Sequence, residues 1–299
     1  MHKTNRIAKL YKNLQNEMCQ QLEIGDGKGV FKKSHWRKDI GSGVTGVMKD
    51  GAIIEKAGLN FSHVEGILTN QMKQSLGMEG RKYSATGISS IIHPGNPMIP
   101  IIHMNVRHFE LDNGTCWFGG GIDLTPHYIQ KTEAQWFHKK LHKLCNKYHN
   151  SFYPKYKAWA DDYFFLTHRN ETRGIGGIFF DRLQPRTEDE FETFLNFTID
   201  IAKAYPELYC EIMDRKRHYT YSEKEKKWQK LRRGRYVEFN LIHDRGTRFG
   251  LDSGGNTESI FVSMPPLAEW EYDYTPNDGT PEKQTLTLLK KNIDWININ

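Results

Sequence analysis

Residues 89–107 read Ser-Ser-Ile-Ile-His-Pro-Gly-Asn-Pro-Met-Ile-Pro-Ile-Ile-His-Met-Asn-Val-Arg. Two short apolar runs, each closed by a histidine, flank a Pro/Gly/Asn turn. That pattern predicts a strand pair over 84–93 and 99–110. Strand side chains alternate between faces, so Ser89, Ile91 and His93 share one face of the first strand. In the second, His103, Asn105 and Arg107 share one face, and Ile102, Met104 and Val106 share the other. A face built from an acid–base group, an amide and a guanidinium does not suit a core. It suits a site that binds an anion and moves protons.

Working outward, residues 4–21 read as an amphipathic helix and 25–60 as Gly-rich loops and short strands. Thr115 to Phe118 reads as a strand that ends in a tight Gly119-Gly120-Gly121 turn, with Asp123 capping the next segment. Helices are predicted over 131–149, 154–170, 187–204 and 222–233, and strands over 178–180, 236–243 and 259–263. Strands arrive as hairpins and separate runs rather than regular βαβ units. The expected class is therefore α+β, a mainly antiparallel sheet covered by helices.

The chain has 299 residues, 37% hydrophobic and 26% charged, which is enough apolar material for a sizeable core. No apolar run approaches the ~18 residues that span a bilayer, and the first 21 residues lack a signal peptide's apolar core, so a cytoplasmic location is expected. Cys19, Cys116, Cys145 and Cys210 form no C-x-x-C pair, which argues against a zinc finger or a disulfide scaffold. A net charge of +6 suits nucleic acid, an anionic membrane or an acidic small molecule. The basic stretch from Arg215 to Arg235 is interrupted by Glu223 and Glu225 and reads as a solvated helix face. No nucleic-acid motif is present, and no nucleic-acid partner is expected.

Gly41-Ser-Gly-Val-Thr-Gly46 fits G-x-G-x-x-G, but no buried strand precedes it and no helix follows, so it reads as a flexible loop. His138, His142, Cys145 and His149 fall on one face of the 131–149 helix, without the glutamate of H-E-x-x-H. Arg107, Arg173, Arg235, Arg245 and Arg248 all flank strands or Gly-rich turns, where each would hold either a substrate carboxylate or a protein one. Tyr236 to Asp244 alternates, placing Tyr236, Glu238, Asn240 and Asp244 on a second polar strand face.

Several long segments together resemble one family. They are His93 to Arg107, Trp117-Phe-Gly-Gly-Gly-Ile-Asp-Leu-Thr-Pro126, His168 to Asp181, Gly234 to Leu251, and Ser263-Met-Pro-Pro-Leu267 with Trp270 to Tyr274. In order and content they are similar to the signature segments of oxygen-dependent coproporphyrinogen III oxidases, over about residues 41–274, with 1–40 as an N-terminal helix and loop of one domain. The resemblance implies a large flat antiparallel sheet flanked by helices on both faces. It implies a homodimer formed through about 236–271. The implied reaction is oxidative decarboxylation of two propionates of coproporphyrinogen III to vinyl groups, giving protoporphyrinogen IX. Molecular oxygen is the implied co-substrate, without flavin, NAD or haem. A divalent metal, manganese foremost, is implied for some bacterial members.

By the same resemblance Ser89 matches a substrate-contacting serine, and Asn105, Val106 and Arg107 match a substrate-binding triplet. Gly254, Gly255 and Asn256 match a second triplet whose third place is usually arginine. His93, His103, His138 and His168 match four histidines assigned to a metal, and His103 also matches a proposed proton donor. Asp244 is expected to meet the pyrrole N–H groups, and Arg235 and Arg245 the substrate carboxylates. Trp117 and Phe118 are expected to pack against the macrocycle. Two other readings compete: a binder of finished porphyrin held through His93 or His103, and a metal-dependent hydrolase built on the four histidines.

Overall fold

The computed structural model describes residues 2–70, 73, 79–252 and 254–298. Seven strands form one sheet, each antiparallel to its neighbour. They are β1 (Lys32–Lys38), β2 (Gly41–Lys49), β3 (Ile54–Ile67), β4 (Lys82–Pro94), β5 (Ile101–Leu111), β6 (Cys116–Thr125) and β9 (Gly176–Leu183), in that spatial order. A two-stranded ribbon, β7 (Phe165–Leu166) with β8 (Glu171–Thr172), lies between β6 and β9 in sequence. The expected α+β class and antiparallel pairing are therefore present.

One sheet face is apolar. Ile88, Ile92, Ile102, Met104, Val106, Phe118, Ile122 and Leu124 are all buried there. Helix α1 (His2–Asp26) covers β3 to β5 with Ile7, Tyr11, Leu14, Met18 and Leu22, spaced three and four residues apart. Helix α4 (Glu188–Lys216) covers β5 and β6. It starts on the Thr187 cap, with three acids in its first turn and two bases in its last, which suits its dipole. It passes the predicted end at 204 and runs through Pro206, because Tyr205, Leu208, Tyr209, Ile212 and Met213 prolong the buried stripe. Helices α2 (Lys131–Asn146) and α3 (Phe152–Tyr163) complete this side, α3 against β9.

The opposite face is partly covered from the C-terminal half. Helix α5 (Glu223–Glu238) starts on a Ser222–Glu225 capping box and continues into a π-helical turn over Phe239–His243. Then come α6 (Arg245–Asp252), α7 (Thr257–Phe261) and α8 (Pro281–Leu288). The predicted strands at 236–243 and 259–263 are thus helical. In the first, Tyr236, Phe239 and Asn240 point inward, a spacing of three and four that the alternating polar residues obscured. In the second, Asn256 caps α7 by accepting a hydrogen bond from the Ser259 N–H.

The Gly-rich 25–60 region also differs from expectation: it holds three long strands, and the 41–46 glycine motif lies inside β2. Glycine usually weakens a strand, but here it marks close approach. A Cβ at Gly58 would lie 2.6 Å from Val262 Cγ1, and one at Gly43 would strike the Trp36 indole. Gly119 to Gly121 likewise lie within β6 and form no turn.

Candidate active site

Strand register lines polar residues up in rows across the partly open face. One row runs Trp36, Gly43, Ser62, Gly87, Arg107, Gly119. The next runs Thr45, Asn60, Ser89, Asn105, Gly121, and the third places Gly58, Ile91, His103 and Asp123 in line. Ser89 is exposed although it sits on a central strand, so nothing covers the sheet there. Around it the side chains are small, and the result is a floor that a broad ligand can lie on. A stack of Tyr83, Phe109 and Trp117 closes one end, with ring centroids 5.3 and 4.4 Å apart. At the other end Tyr236 of α5 packs on Ile91 and Ile101.

His103 is fixed at this floor. Its Nδ1 lies 2.8 Å from Asp123 Oδ1, and Asp123 Oδ2 accepts from Arg173 Nη2 at 2.5 Å. Asp123 and Arg173 are each 2% exposed, whereas His103 keeps 20% of its side chain open. Burial alone would raise the Asp123 carboxyl. The Arg173 charge and the His103 hydrogen bond outweigh it and hold the group below the usual carboxylate range. An ionised Asp123 accepts a hydrogen bond from the Nδ1–H of His103, so Nε2 is the nitrogen left for proton transfer. Arg173 lies over the rings of Phe164, Tyr236 and Phe239, 4.3 to 4.7 Å from their centroids. These contacts help to offset the cost of burying a guanidinium.

Arg107 reaches Asp181 across the intervening strand, with Nη2 3.0 Å from Oδ1. Gly119 makes this possible, because a Cβ there would lie 2.6 Å from Asp181 Oδ1 and 2.9 Å from Arg107 Nε. Asp244 ends the π turn and caps α6. Its Oδ2 accepts from the Thr247 N–H and hydroxyl, both at 2.8 Å, and its Oδ1 accepts from the Tyr163 hydroxyl at 2.7 Å. Burial works against its charge, but these bonds, with His103 nearby, keep the carboxyl below its ordinary value.

The chain matches the family model described as coproporphyrinogen III oxidase over residues 6–295. It belongs to that family. The match extends beyond the resembling segment 41–274 at both ends.

Of the predicted residues, Ser89, His103, Asn105 and Arg107 come together on that floor, as the alternation required. Val106 does not join them: its side chain is fully buried in the core on the opposite face, so only its backbone is available. Phe118 likewise belongs to the core, stacked edge-on to Phe191, whereas Trp117 is on the floor side.

The four histidines of the expected metal set do not converge. Among the described residues no three His, Cys, Asp or Glu side chains gather to hold a metal ion. His93 Nε2 faces the Ser263 carbonyl at 2.9 Å. His138 is held at both nitrogens, by the Tyr153 hydroxyl and the Ile175 carbonyl. His168 lies between His243 and Glu238, at 3.0 and 2.8 Å. His138 and His168 are held by protein groups at both nitrogens, and among the described residues no cluster gathers the four rings, so these residues do not fit a shared ion. His142 is half-buried and His149 exposed.

Arg235 pairs with Glu238, which also accepts from Arg169, His168 and Trp270, so it serves a protein carboxylate. Arg245 is exposed in the first turn of α6, and Arg248 bonds the Ile242 carbonyl. Asp123 and Arg173 carry a larger role than the sequence suggested. The signal was the alternation Gly119, Gly121, Asp123, which points the carboxylate to the same face as His103 once 116–125 is taken as one strand.

Proposed function

We propose that this chain catalyses the oxygen-dependent conversion of coproporphyrinogen III to protoporphyrinogen IX. The observation that carries the reading is the fixed His103–Asp123–Arg173 chain beside Arg107, Asn105 and Ser89 on one open floor. Arg107 offers a guanidinium to a propionate, in competition with Asp181. The hydroxyl of Ser89 and the amide of Asn105 offer neutral contacts to the pyrrole rim.

Each propionate loses a β-carbon hydrogen as a proton, its carboxyl carbon as carbon dioxide, and two electrons, and a vinyl double bond forms. Molecular oxygen accepts the two electrons with two protons and leaves as hydrogen peroxide. One of those protons comes from the C–H bond, so one more must be delivered for each vinyl made. His103 Nε2 is placed to deliver it, and the ionised Asp123 stabilises the imidazolium that precedes delivery. Asp244, kept as a carboxylate, offers an acceptor to a pyrrole N–H. No step is assigned to a metal, because His138 and His168, two of the four histidines matched to one, are held at both ring nitrogens by other protein groups.

The outer surface of 236–271 supports a homodimer there: Leu241, Ile242, Leu251, Leu267 and Trp270 are 41 to 58% exposed. No helix among the described residues is long and apolar enough to cross a membrane, which is compatible with the cytoplasmic location expected above. The test is turnover by His103→Ala. Loss of about 100-fold or more is expected for a general acid. Wild-type turnover in that variant removes His103 from the mechanism.

A further inference from the structure

The loop at Gly254 and Gly255 has little hydrogen-bonding capacity left for a ligand. Gly254 adopts φ +71° and its N–H bonds the Leu251 carbonyl, while the Gly255 N–H bonds the Gly250 carbonyl. This closes the end of α6. The Asn256 side chain is turned into α7 as its cap. The two glycine carbonyls both accept from one group, Lys38 Nζ, at 2.9 Å each. An ammonium has three N–H donors, so one remains. Lys38 is exposed, and the period of β1 puts it on the same face as Trp36, facing the floor.

Between Lys38 and Arg107 lie β2, β3 and β4, so the two strands that carry them are about 19 Å apart. Across that gap the Trp36–Arg107 row presents only Gly43, Ser62 and Gly87. Along that row the floor therefore has a cation on a long side chain at each margin. The Trp36 indole lies over Gly43 with only Ser62 and Gly87 beyond it, while α7 stands beside the row with Ser259 on Thr45 and Asn60. A flat ring with carboxylates on opposite edges matches that layout.

We propose that Lys38 is a substrate-carboxylate residue at the margin opposite Arg107, and that Gly254 and Gly255 position its ammonium rather than touch substrate. This rests on the proposed function. Binding of two stable porphyrins to the full chain, followed by quenching of porphyrin fluorescence at low ionic strength, separates the possibilities. Coproporphyrin III carries four carboxylates and mesoporphyrin IX two. Lys38→Met is expected to weaken coproporphyrin III about tenfold, the scale of one charge-assisted hydrogen bond, and mesoporphyrin IX much less. Lys38→Arg should retain most of the affinity, and added salt should narrow the difference. In turnover, Lys38→Met should raise KM for coproporphyrinogen III by more than it lowers kcat. Equal loss for both porphyrins would make Lys38 a purely structural clasp, and wild-type affinity in Lys38→Met would remove it altogether. Either result overturns the proposal. A wild-type chain that neither binds coproporphyrin III nor turns over its reduced form would instead refute the function reading.

Discussion

Asp123→Asn tests the proton-handling chain at its centre. The substitution keeps the shape of the side chain but removes the charge that selects the His103 tautomer and that faces Arg173 at 2.5 Å. Both members of the Asp123–Arg173 pair are 2% exposed, so the guanidinium is left buried without a counter-charge. Breaking such a pair costs about 3–5 kcal/mol. For a chain of this size that is a fall in Tm of roughly 5–8 °C. Turnover should fall further, by about 100-fold or more, because an amide no longer fixes the tautomer or stabilises the imidazolium. The double variant Asp123→Asn/Arg173→Met separates the two effects. Removing the stranded cation should restore much of the Tm while leaving turnover low, a non-additivity read in a double-mutant cycle. The assay is protoporphyrin fluorescence after oxidation of the product, with thermal melts on the same samples. An Asp123→Asn protein that is folded and turns over within threefold of wild type refutes the reasoning.

The same contacts lead to three further outcomes. Gly119→Ala should displace the Arg107 guanidinium and the Asp181 carboxylate, raising KM for coproporphyrinogen III severalfold; an unchanged KM would mean that Arg107 does not hold substrate. Chelator treatment should leave turnover within about twofold, because His93, His138 and His168 are bonded to protein groups; loss restored by added manganese would contradict this. Four buried histidines should make the fold acid-labile. Burial lowers His108 to about 4, lowers His127 and His138 each to about 3, and holds His93 well below its ordinary value. Above pH ~6.5 these groups are neutral both folded and unfolded, and the fold is at full strength. As pH falls below that, only the unfolded chain takes up the protons, so stability drops by about 1.4 kcal/mol per histidine per pH unit. Denaturant midpoints at pH 7.5 and 5 check it, and equal midpoints would contradict it.

The central strand pair and the polar face of β5 were legible because two-residue periodicity is unambiguous where Ile102, Met104 and Val106 alternate with His103, Asn105 and Arg107. The β1 to β3 half of the sheet was not, because Gly43 and Gly58 suggested loops while their actual use is to admit Trp36 and Val262. The helical 236–243 stretch misled for the opposite reason: Glu238 and Asn240 face different protein partners, and a short segment can satisfy both periods. At the site, histidine and arginine on one strand could be found from sequence, but their partners could not. Asp123 and Arg173 are 50 residues apart and meet because β6 lies beside β9, just as His103 and Asp123 meet because β6 lies beside β5. The histidines matched to a metal show the reverse limit, since matching positions carry no information on whether four rings converge, and among the described residues no such cluster is gathered.

The most direct test of the central claim is the stoichiometry of coproporphyrinogen III consumption by the purified chain, with and without oxygen. The account predicts no product under anaerobic conditions. In air it predicts two molecules of oxygen consumed, and two each of carbon dioxide and hydrogen peroxide released, for every protoporphyrinogen IX formed. Product formed at an undiminished rate without oxygen, or in air without matching hydrogen peroxide, would contradict it.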